Sequence, residues 1–298
     1  MIHGLRSNRM LLPLLLRSVT VRMSRSWNPE QFSSSRVPEK PMGSGLKWRV
    51  IRDSPCTGSH NMAVDHALAV CSQEGEGVLR LYSWTAATVS FGRNECARGL
   101  YDQANAAEQG IEFVRRPTGG RAVLHSAEVT YAVVAPVRAL GGPRASYVEI
   151  NRGLVKGLSS IGAAVAVTDH GETLSPDAGA CFGVPAPGEI VAGEKKLVGS
   201  AQLRVGDALL QHGSIIIDGD QSLLNDLTGE LRYVVHPATL RSVLGVVHQD
   251  QVVTAVIDGL KHVLGGLWDE GEYRSEERKE ADRLERHRYR EYAWTWRR

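Results

Sequence analysis

Short runs in which apolar residues alternate with polar ones predict β-strands along most of the chain. The runs are rich in Val, Ile and aromatic residues and are bounded by Gly, Pro or Asp, as strands in globular proteins usually are. They cover residues 48–51, 78–84, 88–91, 111–114, 129–133, 163–167, 193–202 and 208–217. Val205-Gly206-Asp207 separates the last two, which predicts a tight turn and an antiparallel pair.

Other segments carry apolar residues at helical spacing. One begins at Asn61 as a predicted N-cap and places Val64, Ala67, Leu68 and Cys71 on one face. Further predicted helices cover residues 147–161, 223–227 and 250–264. Because the predicted strands outnumber the helices and occur in hairpins, the fold class predicted is α+β, with a mixed, largely antiparallel sheet flanked by helices.

Both ends of the chain differ in composition from its middle. Residues 1–29 contain no Asp or Glu but five arginines, which is typical of an organelle transit peptide; the alternative is an over-extended reading frame whose true start is Met23. We therefore expect a disordered leader over residues 1–45 and a folded domain over residues 46–265. Residues 266–298, dense in Glu and Arg, are expected to form a solvated, salt-bridged helical tail.

Composition narrows the function classes. A formal net charge of +2 is too close to neutral to indicate a nucleic-acid-binding protein, and the apolar run at residues 10–16 is too short to span a membrane. The cysteines at positions 56, 71, 96 and 181 show neither CxxC nor Cys/His metal spacing. We expect free thiols in a reduced compartment and no metal site.

The segment from Arg115 to Ala122, Arg-Arg-Pro-Thr-Gly-Gly-Arg-Ala, carries the first candidate chemistry. A Gly-Gly turn between two predicted strands allows close backbone approach to a ligand, since neither glycine has a Cβ. The flanking arginines are suited to a carboxylate, a phosphate or a thioester-bound carrier arm. An ordinary hairpin loop would have the same local pattern.

Two downstream segments make the motif more specific. Cys181-Phe-Gly-Val-Pro precedes Lys196-Leu-Val-Gly-Ser-Ala201, and Gln211-His-Gly-Ser214 follows. In this order the motifs resemble the lipoate–protein ligase and octanoyltransferase family, the relatives of biotin ligases, over roughly residues 47–245. The resemblance implies a biotin/lipoate ligase-like catalytic domain. It is closest to the cysteine-dependent octanoyl-[acyl carrier protein]:protein octanoyltransferases, while the Gly-Arg-Gly-Arg motif of biotin ligases is not found.

The resemblance implies two catalytic residues. Cys181 occupies the position of the nucleophile in the Cys-Phe-x-x-Pro loop, and Lys196 aligns with the lysine signature of the family. An ammonium close to a thiol favours the thiolate and lowers the thiol pKa. Strict alternation along residues 196–202 would place Lys196, Val198, Ser200 and Gln202 on one face of a strand.

The resemblance also implies substrate-binding residues. They are Arg116, Thr118, Gly119, Gly120, Arg121, Ala122, His125, Gly199, Ser200, Ala201 and His212. Backbone N–H groups of the two glycine-containing segments are candidates for stabilising an oxyanion. A structural hydrogen-bonding role is equally open for both histidines. Apolar walls for an eight-carbon chain are expected from Val123, Val134, Leu197 and Val198.

The activity implied is transfer of octanoyl from octanoyl-acyl carrier protein to Cys181. The group would then pass to a lysine of the lipoyl domains of 2-oxo acid dehydrogenases or of the glycine cleavage H protein. No cofactor is needed for this exchange, because the thioester is already activated. We expect a cytoplasmic enzyme, or a mitochondrial matrix enzyme if the leader is a transit peptide.

Three alternatives stay open. An ATP- and Mg-dependent lipoate–protein ligase shares the Gly-Gly and lysine motifs but has no use for Cys181. An amidotransferase moving octanoyl or lipoyl groups between carrier proteins would use the same thiol. A lipoyl-domain or acyl-binding module without catalysis is the non-enzyme alternative, and the presence of both candidate catalytic residues argues against it.

Overall fold

The computed structural model describes residues 43–168, 188–219, 221–228 and 236–298. Its strands, in chain order, are β1 (Lys47–Arg52), β2 (Glu76–Tyr82), β3 (Thr88–Phe91), β4 (Glu112–Arg115), β5 (Val123–His125), β6 (Glu128–Pro136), β7 (Ala166–Val167), β8 (Ile190–Ala192), β9 (Lys195–Val205), β10 (Ala208–Ile216) and β11 (Leu267–Glu270). Its helices are α1 (Gly58–Val70), α2 (Gln103–Glu108), α3 (Pro143–Ser160), α4 (Leu223–Thr228), α5 (Leu240–Leu244), α6 (Gln249–Leu264), α7 (Ser275–Leu284) and α8 (Tyr292–Thr295). None of these described helices is long and apolar enough to cross a bilayer.

The strands form one large sheet and one small sheet. In the large sheet the order is β11-β1-β2-β6-β10-β9-β8-β7, with β1 parallel to both of its neighbours and the remaining pairs antiparallel. The predicted pair around residues 205–207 is confirmed, because β9 and β10 pair antiparallel from Val205 and Ala208 onward. The predicted α+β class with a largely antiparallel sheet is likewise confirmed.

Apolar residues cover both faces of the large sheet. On one face the sheet packs against α3 and α6, and the cluster includes Leu79, Val133, Ile215, Leu154 and Leu260. The two helices approach closely because glycines line their contact; a Cβ on Gly259 would lie 2.2 Å from the carbonyl oxygen of Gly153. On the other face α1 and α7 cover a second cluster that includes Val78, Val134, Leu210, Leu68 and Leu284.

The first helix begins earlier than predicted. Thr57, not Asn61, is the N-cap of α1, and its side chain accepts a hydrogen bond from the His60 amide at 3.4 Å. Asn61 lies inside the helix and is fully buried. Its Nδ2 donates to the carbonyl oxygens of Cys56 and Ser83, at 3.2 and 3.0 Å. Both residue types make good caps, so the local pattern did not distinguish them.

The Gly-Gly segment is not the turn of a simple hairpin. The small sheet has the order β4-β3-β5, so the strands before and after the loop lie on opposite sides of β3. β3 is parallel to β4 and antiparallel to β5. The segment at residues 129–133, predicted as the second arm, belongs to β6 in the large sheet. The residues of β3 are all buried, as expected of a central strand.

The C-terminal segment also differs from the expected separate tail. β11 pairs with β1, and α7 packs on α1 with Ala281 and Leu284 buried. Trp296 packs against Phe91 and Phe113 of the small sheet, with ring centroids 5.2 and 5.0 Å apart. Salt bridges are present on the exposed side, but the opposite side belongs to the core, so the described residues form one compact unit. The expected leader lies almost entirely outside the described residues.

Candidate active site

The loop at residues 116–121, hereafter the Gly-Gly loop, is closed from within by Arg116. The guanidinium donates to the carbonyl oxygen of Gly119 from Nε and Nη2, at 3.1 and 2.9 Å, and to that of Arg121 at 2.8 Å. Gly120 has φ of +93°, and a Cβ there would lie 2.7 Å from Nη2 of Arg116. The sequence led us to expect a ligand close to the backbone of these glycines. In the described residues, the group that lies close to Gly120 is the guanidinium of Arg116.

Arg115 likewise has a structural role. It is fully buried, and its guanidinium donates to the carbonyl oxygens of Gly92, Glu95 and Thr295, at 2.6, 2.7 and 2.9 Å. Arg115 and Arg116 thus both bind backbone carbonyl groups and fix the loop to its surroundings.

A buried chain of three side chains joins this loop to the large sheet; we call it the His212 chain. His212 lies 2.8 Å from Oδ2 of Asp65 through Nδ1 and 2.7 Å from Oγ1 of Thr118 through Nε2. A carboxylate only accepts hydrogen bonds, so Nδ1 carries the proton and, in the neutral imidazole, Nε2 accepts from the Thr118 hydroxyl. The arrangement orders carboxylate, imidazole and hydroxyl in one line.

Asp65 holds its charge although it is fully buried. Its carboxylate accepts hydrogen bonds from Nη1 of Arg80 at 2.7 Å and from the Tyr82 hydroxyl at 2.8 Å. Burial acts to raise the pKa of Asp65, but the charge of Arg80 and the hydrogen bond from His212 outweigh it, so the pKa lies below its usual value. Neither Asp65 nor Arg80 was among the site residues predicted from sequence.

A second chain of the same kind, the His125 chain, lies at the small sheet. Nδ1 of His125 is 2.8 Å from Oε1 of Glu128, and Nε2 is 2.7 Å from the Ser90 hydroxyl. Burial acts to raise the pKa of Glu128, but the charge of His125 and its hydrogen bond outweigh burial, so the pKa lies below its usual value. Glu128 therefore stays ionised, and Nδ1 of His125 donates to it. Ser90 in turn accepts from Arg116 at 3.1 Å, which links this chain to the Gly-Gly loop. The Trp84 ring stacks on the His125 ring, with ring centroids 4.0 Å apart and an interplanar angle of 14°.

Glu95 is a further residue at the loop that sequence reasoning missed. Its two carboxylate oxygens accept from the amides of Gly92 and Ala122, at 2.8 and 2.9 Å. Burial raises its pKa to about 7, against the lowering effects of Arg116 and the two backbone hydrogen bonds. The amide of Ala122, a predicted binding residue, is thus engaged by Glu95.

Strand β9 brings Gly199, Ser200 and Ala201 to the site. Ala201 pairs with His212 and Gly199 with Ser214, so both lie on the sheet face that carries the His212 chain. Ser200 faces the other way, and its hydroxyl lies 2.7 Å from that of Tyr131. Among the described strands, β8 pairs with β9 only as far as Val198. On the edge of β9 that faces away from β10, the backbone N–H and C=O groups of residues 199–205 therefore have no described strand beside them.

Lys196 is buried and paired. Its ammonium donates to Oε1 of Glu189 at 2.5 Å, and its exposed fraction is 1%. The predicted alternation from Lys196 to Gln202 is wrong at its start, because the register of β8 and β9 shifts there and Leu197 and Val198 both pack into one core cluster. A β-bulge of this kind cannot be inferred from a two-residue period.

The expected apolar walls divide between two faces of the sheet. Leu197 and Val198 belong to the cluster under α3 and α6, whereas Val134 belongs to the cluster under α1. Val123 is buried in β5 of the small sheet. The four residues therefore do not line one common channel, and Leu197 and Val198 are core residues.

Cys181, the predicted nucleophile, lies outside the described residues. Glu189, the partner of Lys196, is eight positions further along and is described. Burial raises the pKa of the Cys56 thiol and of the Cys71 thiol, which disfavours the reactive thiolate at both positions.

Comparison with known proteins identifies the family of this chain. The family model for the lipoyl protein ligase A/B catalytic domain matches residues 57–260. Octanoyltransferase LipM of Kyrpidia tusciae is 38% identical over 258 residues, which cover 80% of this chain and 94% of that protein. Octanoyltransferase LipM of Symbiobacterium thermophilum is 34% identical over 261 residues, 81% of this chain and 95% of that protein.

Solved structures show the same fold. A lipoate-protein ligase A bound with ATP superposes with a TM-score of 0.72 at 24% identity, covering 84% of this chain and 99% of that one. A structure from the analysis of a bi-partite lipoate protein ligase and its E2 lipoyl domain from Thermoplasma acidophilum gives a TM-score of 0.66 at 20% identity, covering 84% of this chain and 96% of that one. The resemblance seen in the sequence motifs is thereby confirmed. The chain belongs to the lipoyl protein ligase A/B catalytic domain family.

Proposed function

We propose that this protein is an octanoyltransferase of protein lipoylation, using octanoyl-acyl carrier protein as donor and Cys181 as nucleophile. The observation that carries the proposal is the buried ammonium of Lys196, which donates to Glu189, a residue eight positions after Cys181. In addition, the chain matches proteins named octanoyltransferase over nearly their whole length. A lysine that is 1% exposed and donates to a carboxylate supports a catalytic role, because buried ionisable groups are concentrated at functional sites.

In the first half-reaction the Cys181 thiolate attacks the carbonyl carbon of the donor thioester. A new C–S bond forms, the carbonyl oxygen becomes an oxyanion, and collapse expels the donor thiol as thiolate, which takes a proton. One thioester replaces another at nearly constant free energy, so no nucleotide is consumed. Backbone N–H groups of the Gly-Gly loop and of Gly199-Ser200 are the candidate oxyanion donors.

In the second half-reaction a lysine amine of the acceptor attacks the octanoyl-enzyme. An amide bond forms, Cys181 leaves as thiolate, and the amine gives up a proton, for which the Lys196–Glu189 pair is the candidate carrier. The acceptor would be a lipoyl domain of a 2-oxo acid dehydrogenase or the glycine cleavage H protein. His212 and Thr118 hold the Gly-Gly loop in place through these steps.

The competing activity is that of an ATP-dependent ligase, and a comparison of donors separates the two. Apo-H protein is incubated with octanoyl-acyl carrier protein in ATP-free, EDTA-treated buffer, and in parallel with free octanoate, ATP and magnesium. Modification measured by mass should occur with the thioester and be absent or slight with the free acid, since only the thioester is already activated. Modification that depends strictly on ATP would overturn the proposal.

A further inference from the structure

A pocket rich in arginine lies beside the Gly-Gly loop, outside the site described above. It has a volume of about 210 Å³ and is lined by Arg93, Arg204, Arg288, His66, Trp294 and Pro117, among other residues; we call it the arginine pocket. Its lining joins α1, β9, the loop and the C-terminal segment. Among the described residues that line it there is no carboxylate.

The cationic groups of the pocket are only partly neutralised. Arg93 is exposed, and its guanidinium makes no ion pair or hydrogen bond with any described residue. Arg288 lies over the Trp294 ring at 4.8 Å, and Arg297 lies over the same ring at 4.5 Å. Of the three arginines that line the pocket, Arg204 alone pairs with a carboxylate of the described residues, that of Asp207 at 3.1 Å, and this pair is exposed and therefore weak.

His66 adds a neutral donor to these charges. Its Nδ1 lies 3.0 Å from the Tyr289 hydroxyl and 3.4 Å from Nη1 of Arg288, and since a guanidinium only donates, Nδ1 is the acceptor. Burial, followed by the charges of Arg288 and Arg93, lowers the pKa of His66 to about 4. The imidazole is thus neutral at pH 7, and because Nδ1 accepts, its proton lies on Nε2.

The pocket is continuous with the candidate active site along two elements. Pro117 precedes Thr118 of the His212 chain in the Gly-Gly loop. On β9, Leu203 of the pocket lies on the same face as Ala201, which pairs with His212, and two residues of a strand span about 7 Å. A ligand bound in the pocket can therefore extend along β9 to the site.

We propose that the arginine pocket binds the phosphate that joins the pantetheine arm of the acyl donor to its carrier protein. This inference rests on the proposed function for the identity of the donor. Guanidinium groups match phosphate oxygens with paired N–H donors, and a neutral imidazole N–H can add a further hydrogen bond. Anchoring the phosphate here would orient the thioester end of the arm toward the Gly-Gly loop and Gly199.

Binding measured by calorimetry tests the proposal without turnover. 4′-Phosphopantetheine, pantetheine and inorganic phosphate are titrated into wild type, Arg93→Gln, Arg288→Gln and a control, Arg152→Gln, whose exposed arginine lies on α3. Wild type and control should bind 4′-phosphopantetheine at least tenfold more tightly than pantetheine, and both pocket variants should lose this preference. Melting temperatures close to that of wild type show that the variants are folded.

Two binding results would overturn the proposal. One is equal affinity of wild type for 4′-phosphopantetheine and pantetheine, or a preference that survives in both pocket variants. The other is inorganic phosphate binding as tightly as 4′-phosphopantetheine, which would identify a general anion site rather than a site for the carrier arm.

Kinetics separate this inference from the proposed function. Arg93→Gln should raise KM for octanoyl-acyl carrier protein about tenfold with kcat unchanged, as loss of uniform binding does, and leave transfer from octanoyl-pantetheine unaltered. An equal loss with both donors would contradict the inference. Absence of transfer from either thioester in wild type would instead contradict the proposed function, while the calorimetric result would still decide whether the pocket recognises the phosphate.

Discussion

Replacement of Asp65 by Asn tests the role of the His212 chain. The carboxylate is fully buried and accepts from Arg80 at 2.7 Å, from Tyr82 at 2.8 Å and from His212 at 2.8 Å. An amide of the same shape removes the charge and replaces one acceptor oxygen with a donor. The fully buried Arg80 then loses its buried counter-charge, and His212 loses the acceptor that fixes its tautomer.

The size of the loss follows from what remains. Removing one partner of a buried ion pair costs about 3–5 kcal/mol. Arg80 keeps the partly exposed carboxylate of Asp53 at 2.7 Å and the side-chain oxygen of Asn61 at 2.8 Å, so we expect the lower end, about 3 kcal/mol at pH 7. Because the folded pKa of Asp65 is depressed, this contribution is present above the ordinary value of 3.8 and is lost as pH falls through the folded pKa.

Urea and thermal unfolding at pH 7 measure the effect. For a domain of this size about 3 kcal/mol corresponds to a fall in Tm of about 6–12 °C. The matched control is Glu149→Gln, which removes a carboxylate from an exposed pair with Arg152 at 2.8 Å and should cost less than about 1 kcal/mol. A loss below about 1 kcal/mol for Asp65→Asn would refute the reasoning that this carboxylate balances buried Arg80.

Further variants test the lysine and the close packing of the sheet. Lys196→Ala should raise the pKa of Cys181 and slow its alkylation by iodoacetamide near neutral pH, whereas Glu189→Gln, which removes the neutralising carboxylate, should speed it; identical pH profiles in all three proteins would contradict the electrostatic role. Gly213→Ala should lower the free energy of unfolding by about 1–3 kcal/mol, since the new Cβ would lie 2.5 Å from the carbonyl oxygen of Gly199 on β9. Gly45→Ala, where a Cβ meets nothing within 4 Å, is the control and should stay within about 0.5 kcal/mol.

Local patterns predicted the elements that depend on local interactions. The strand at residues 88–91 matches β3, and the helix predicted over 250–264 matches α6, because alternation and helical spacing report directly which side is buried. The order of strands in the small sheet was not predicted. It depends on β3 entering between β4 and β5, which is a long-range choice that no local period encodes.

The motifs indicated the right regions, but the partners of their residues lie far away in sequence. His212 depends on Asp65, 147 positions earlier. A signal for this carboxylate was present, since Asp65 directly follows the apolar run at residues 62–64 of a helix and Arg80 interrupts an apolar strand. Two opposite charges at apolar positions predict a buried pair, and that reasoning would have found both residues.

The role of Arg116 could not be predicted from its residue type. An arginine close in sequence to a Gly-Gly pair suggests anion binding, yet the guanidinium of Arg116 donates to carbonyl oxygens of its own loop. The distinction depends on how the loop folds back, which only the structure shows. The catalytic assignment of Cys181 stays a prediction.

Intact mass spectrometry tests the central proposal most directly. Wild type and Cys181→Ala are incubated with octanoyl-acyl carrier protein in ATP-free, EDTA-treated buffer, without an acceptor. Wild type should gain the mass of one octanoyl group, and this adduct should disappear when apo-H protein is added, while Cys181→Ala should gain nothing at an unchanged Tm. A wild-type protein that shows no adduct, or an adduct that persists in Cys181→Ala, would contradict the thioester mechanism.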